Sequence, residues 1–142
     1  MLRINTYVQT RKNLVEMKEQ YVENDFFEIW REDGIIFTVF KKNVVLNLEI
    51  SKQVVAERMK VSNGKPTPIF IDLINVVTTD TKARKYMASK EAVEFIKAGA
   101  FLLDNEIMKL AGNIFIKIDK PLITTKLFTD RDKAIAWLQD FK

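Results

Sequence analysis

Large apolar and polar residues alternate along FFEIWRED (26–33), the two-residue period of a half-buried strand. The alternation stops at Asp33-Gly34, a strong hairpin signal. GIIFTVFK (34–41) predicts the returning strand, and a turn at Lys42-Asn43 leads into a third short strand, VVLN (44–47). These segments read as an antiparallel meander. The period then lengthens. Asn47 is a candidate helix N-cap, with Glu49 in the first turn, where the helix dipole favours an acid. Ile50, Val54, Val55 and Met59 supply an apolar stripe, Asn63-Gly64 ends the helix, and Pro66 and Pro68 stop its continuation.

PIFIDL (68–73) is a nearly unbroken apolar run, as in a strand buried on both faces of a parallel sheet. Asp80 is expected to cap a helix in which Ala83, Tyr86 and Met87 share a face. A further helical segment is predicted from Ser89 through Ile96, stopped by Gly99, before a buried strand at AFLLD (100–104). Ile107, Leu110, Ala111, Ile114 and Ile118 stand at helical spacing within 105–118, although the C-terminal half of that stretch reads equally well as strand. LITTKLFT (122–129) predicts the last strand, and TDRDKAIAWLQDF the last helix. There Thr129 and Asp132 stand in capping-box order, and Ala134, Ile135, Leu138 and Phe141 form the apolar stripe.

Residues 1–24 are polar, with Leu14, Met17 and Tyr21 spaced for a short amphipathic helix or a partly ordered extension. The expected organisation is this extension followed by one domain over 25–142. Its class is α/β, with a mixed sheet: an N-terminal antiparallel meander and parallel central strands flanked by helices.

Composition narrows the chemistry. In 142 residues, 47% are hydrophobic, which favours an ordinary globular core over disorder. No apolar run reaches the roughly 20 residues of a membrane-spanning helix, and the N-terminus lacks a signal-peptide core, so a cytoplasmic protein is expected. The absence of Cys and His removes thiolate and imidazole nucleophiles and the commonest zinc ligands. A non-catalytic protein without cofactor or metal is therefore expected. The net charge is +4, but basic residues are spread among acidic ones and do not interleave with aromatics. Nucleic-acid binding is not expected.

Three stretches together resemble the STAS superfamily, in particular the SpoIIAA-like (STAS/SEC14-like) bacterial domains. IFIDLINVVTTDTKA (69–83) is similar to that family's strand-loop-helix, KAGAFLLD (97–104) to its glycine and next buried strand, and LFTDRDKAIAWL (127–138) to its closing strand and helix. The likeness spans roughly 26–142. It implies that Asp72 matches the family's strand aspartate and Asp80 the aspartate before the phosphorylatable serine. Thr81 falls on the first serine of the pair, Lys82 on the second, the usual phosphoacceptor, and Ala83 replaces the glycine. A lysine accepts no phosphate, so a kinase-gated switch at that position is not expected.

The TTDTK stretch has three readings: a helix cap at Asp80, a contact loop for a partner or ligand, and a phosphorylation site at Thr78, Thr79 or Thr81. Asp72 is expected to bond loop amides rather than act as an acid or base, and the basic run Lys82, Arg84, Lys85, Lys90 to be a solvated face. Trp30 and Trp137 read either as core or edge aromatics or as the lining of an apolar ligand cavity. The leading expectation is a regulatory module that binds a protein partner through Asp72, Asn75, Thr78, Thr79, Asp80, Thr81, Lys82 and Arg84. The alternative is a small-molecule or lipid-binding domain with a pocket beside the sheet, and a homodimer through the extension or an edge strand is a further option.

Overall fold

A computed structural model describes residues 18–142. Its main sheet begins with three antiparallel strands, β1 (Glu19–Glu23), β2 (Phe27–Glu32) and β3 (Ile35–Phe40). Asp33 and Gly34 turn between β2 and β3 with φ of 50° and 75°, the left-handed pair that a tight hairpin requires. Tyr21, read as part of a helix, lies in β1; Leu14 and Met17, its partners in that predicted stripe, lie outside the described residues.

β4 (Val44–Leu46) does not join the meander. It pairs in parallel with β6 (Val76–Thr79) as a separate two-stranded sheet. Residues 76–79 were expected as loop, but Val-Val-Thr-Thr is a β-branched run suited to a pleated edge, and β4 offers it a partner.

From β3 onward the main sheet is parallel: β5 (Thr67–Asp72) pairs with β3, β7 (Ile96–Leu102) with β5, and β8 (Thr124–Phe128) with β7. Parallel neighbours need crossovers. These are supplied by α1 (Leu48–Ser62), α2 (Thr81–Met87) and α3 (Glu106–Asp119). Asn47 caps α1, its side chain accepting from the Ile50 amide, and Asn63 closes it in the left-handed region. α4 (Arg131–Leu138) ends the fold with a short 3-10 turn.

Three local predictions are corrected. Residues 88–95 are turns, not a helix reaching Ile96. Phe95 has φ 62°, and the carbonyls of Ala92 and Glu94, which a continuing helix would use, accept instead from Arg58. Gly99 lies inside β7 rather than ending a helix, with Ile69, Phe101 and Ile123 around it. Asp130, not Thr129, caps α4, accepting from the Lys133 amide, while the Thr129 hydroxyl donates to Glu106.

Alternation along the strands sends two sets of side chains to opposite faces. On one face Ile29, Ile36, Phe40, Ile69 and Ile71 meet Ile50, Val54 and Val61 of α1. On the other, Trp30, Phe37, Phe70, Ala98, Ala100 and Phe128 meet Ala134 and Leu138 of α4. Trp30 stacks on Phe37 at 5.3 Å, and Trp137 lies beside Phe128 and Phe141. Both tryptophans thus belong to the α4 side.

Candidate functional site

The face of the sheet that carries α1 is not completely filled. α1 packs against β2 and β3, whereas α2 and α3 stand over the β5, β7 and β8 side and leave a cavity of about 430 Å³. Its floor includes Thr38, Ile69, Ile71, Phe101, Thr125 and Leu127, and α1 adds Val54, Val55 and Arg58. Met87 comes from α2, and Met108, Gly112, Phe115 and Ile116 from α3. Volume and apolar lining match an ordinary small-molecule site.

Glycines open this space. β7 sends only Gly99 and Phe101 from its centre to this face, since Ala98, Ala100 and Leu102 point to α4. Gly112 lets α3 approach β8: a methyl there would come within 2.6 Å of Leu127 Cδ1. Neither Trp30 nor Trp137 lines the cavity: Trp30 is buried in the core on the α4 side and Trp137 packs, partly buried, against it.

α3 is the least embedded helix; none of its residues is buried. Met108, Gly112, Phe115 and Ile116 face the cavity; of the stripe read from the sequence, Ala111 joins them, whereas Ile107, Leu110, Ile114 and Ile118 point outward. Ile107 is 80% exposed and Ile118 64%. The apolar arc is wider than one face, so spacing alone identified the outer half. Asn105 caps the helix by accepting from the Met108 amide.

The residues proposed from the sequence fall in two groups. Several are occupied in holding the fold. Asp72 accepts from the Ile74 amide at 2.9 Å, Asn75 donates to the Phe40 carbonyl, and Thr79 donates to the Leu46 carbonyl. Asp80 caps α2, accepting from the Ala83 amide at 2.7 Å. Arg84 donates to Asp119 at 3.0 Å and lies over the Phe115 ring. Thr78, Thr81 and Lys82 are exposed. Thr78, Thr79 and Arg84 also line the cavity, so part of the predicted loop borders it. No group of three or more acidic, His or Cys side chains suited to a metal occurs among the described residues.

Sequence reasoning missed Arg58. It is 2% exposed, and its guanidinium donates to the carbonyls of Ala92 and Glu94. Burial pushes its pKa down to about 10, which leaves it cationic at neutral pH. The signal was present: Arg58 follows Val54 by four residues and Val55 by three, a charge inside an apolar stripe.

A solved structure shares this architecture. The chain is similar to an uncharacterized DUF3478-family protein with a SpoIIAA-like fold from Shewanella loihica PV-4, at 19% identity and a TM-score of 0.58, over 82% of this chain and 98% of that one. The fold is therefore SpoIIAA-like, a mixed α/β sheet flanked by helices. No curated protein matches the chain. No helix among the described residues is long and apolar enough to cross a membrane. The model of a domain of unknown function, DUF7793, matches residues 29–142, nearly the whole described fold, and the chain belongs to that family.

Proposed function

We propose that this domain is a non-catalytic binding module for an apolar small molecule or lipid, held between the sheet and α3. The observation that carries this reading is the cavity of about 430 Å³ lined chiefly by aliphatic and aromatic side chains. A ligand in a space of this size would gain packing contacts with the apolar walls on several sides. Native mass spectrometry of the full chain purified without detergent tests it. The expected result is an adduct extractable into organic solvent, absent from Ile116→Trp, whose larger side chain occupies the cavity. A chain that carries no adduct, and binds an apolar fluorescent probe equally well with and without Ile116→Trp, refutes the reading.

A protein partner at residues 75–90 is the second reading. It is favoured by Lys82 and Lys85, exposed and without an ion pair among the described residues, beside Val77, which is 61% exposed. That combination suits an acidic partner with an apolar contact. Lys82→Glu with Lys85→Glu should abolish capture of such a partner while the thermal midpoint is unchanged. Capture that survives both reversals rules this surface out.

A further inference from the structure

An arginine among the wall residues of an apolar cavity is costly unless its charge is answered. Arg58 is 2% exposed and forms no ion pair among the described residues. Two backbone carbonyls, those of Ala92 and Glu94, accept from Nη2 and Nη1. They orient the guanidinium but carry no net charge. Glu94, the nearest acid in that segment, has an exposed side chain and offers Arg58 its backbone oxygen instead. The other arginine at the cavity, Arg84, is already paired with Asp119. Arg58 is thus a lining cation with no ion pair among the described residues, the exposed Glu94 carboxylate acting on it only through space, and Thr38, 1% exposed, adds a hydroxyl to the same lining.

We propose that the cavity takes an amphiphile with one carboxylate head, the carboxylate meeting the Arg58 guanidinium and the hydrocarbon chain lying along Ile69, Ile71, Phe101 and Phe115. This rests on the apolar-ligand reading above and specifies its ligand class. A guanidinium matches a carboxylate in shape and charge, and the hydrogen bonds between them are the strong, charge-assisted kind. A medium- or long-chain fatty acid has both parts.

Calorimetric titration of the full chain at neutral pH with dodecanoate, dodecanol and dodecyltrimethylammonium tests the assignment. Dodecanoate should bind about tenfold more tightly than dodecanol, and the quaternary ammonium most weakly. Arg58→Gln should bring dodecanoate to the level of dodecanol and leave dodecanol unchanged. Equal binding of the three, or a preference for dodecanoate that persists in Arg58→Gln, overturns the headgroup assignment and leaves the apolar-ligand reading standing. Failure of all three to bind the wild-type chain overturns both. Dodecanoate that binds Ile116→Trp as well as wild type is on the exposed stripe of α3, which also overturns the proposal. If Arg58→Gln does not fold, the ligand order in the wild-type chain and the Ile116→Trp result decide the question.

Discussion

Arg84 donates from Nε to Oδ2 of Asp119 across 3.0 Å, tying the middle of α2 to the last residue of α3. The same guanidinium lies 4.1 Å from the centre of the Phe115 ring, so one side chain holds α3 by its end and by its inner face. Both carboxylate and guanidinium are mostly covered, which reduces solvent screening. Arg84→Ala and Asp119→Asn should each cost about 1–2 kcal/mol in denaturant unfolding. The double variant should cost less than the sum of the two, because the pair is one interaction. Additive costs would show that the two side chains act independently.

Asp80 and Thr81 separate the cap from a modification site. Asp80→Ala should lower stability by about 1 kcal/mol, since the Ala83 amide loses its acceptor. Asp80→Asn should stay near wild type, asparagine being an equally good cap, and Thr81→Ala should shift stability by no more than about 0.5 kcal/mol. Thermal melts of the three variants check this order.

The outer and inner apolar residues of the fold should respond very differently. Ile114→Ser, on the exposed stripe of α3, should change stability by about 0.5 kcal/mol or less. Ile36→Ala, wholly buried between β2 and β5, should cost about 2–5 kcal/mol. A cost above about 2 kcal/mol for Ile114→Ser would mean that its side chain is covered in solution.

Tyr21 gives the fold an alkaline weakness. Partial burial, and hydrogen bonds to Glu23 and Glu28, raise its pKa well above the ordinary 10.0. The unfolded chain releases this proton near pH 10 while the folded chain keeps it, so stability falls as pH rises past about 10. Tyr21→Phe should make that loss shallower. Some loss persists, because burial also raises the pKa of Tyr86. Arg58 acts with the opposite sign from about 10 upward, since its pKa is depressed in the fold. Denaturation midpoints of wild type and Tyr21→Phe across this range check the prediction, and parallel curves would contradict it.

Much of the fold was legible because its signals are local. Asp33-Gly34 needs φ above zero at both positions, and those residues supply it in any context. Asn47 and Asp80 precede helices, and each accepts an amide three residues on, within one turn of chain. The strands 27–32, 35–40 and 67–72 follow from their apolar patterns and the turn residues between them. The SpoIIAA-like order of elements was readable for the same reason.

The site was less legible, because its parts are distant in sequence. The two-stranded sheet of 44–46 and 76–79 needs a partner about thirty residues away, and nothing in VVTT names it. Periodicity showed that α3 is apolar but not which side it turns to the sheet; Gly112 against Leu127 decides that. Ser89 to Phe95 has helical composition, yet Arg58 takes two of its carbonyls.

The TTDTK stretch runs from β6 through the Asp80 cap into α2 beside the cavity. By itself the sequence determined an α/β chain without cysteine or histidine, its hairpin, the caps at Asn47 and Asp80 and its parallel centre, because turn chemistry, capping and strand periodicity act within a few residues. Only the tertiary structure decided that α2 and α3 leave a space over β5 and β7 while α3 closes on β8, and that a buried arginine joins the walls of that space. A cavity is the volume that packing leaves over, and it depends on where several elements meet at once.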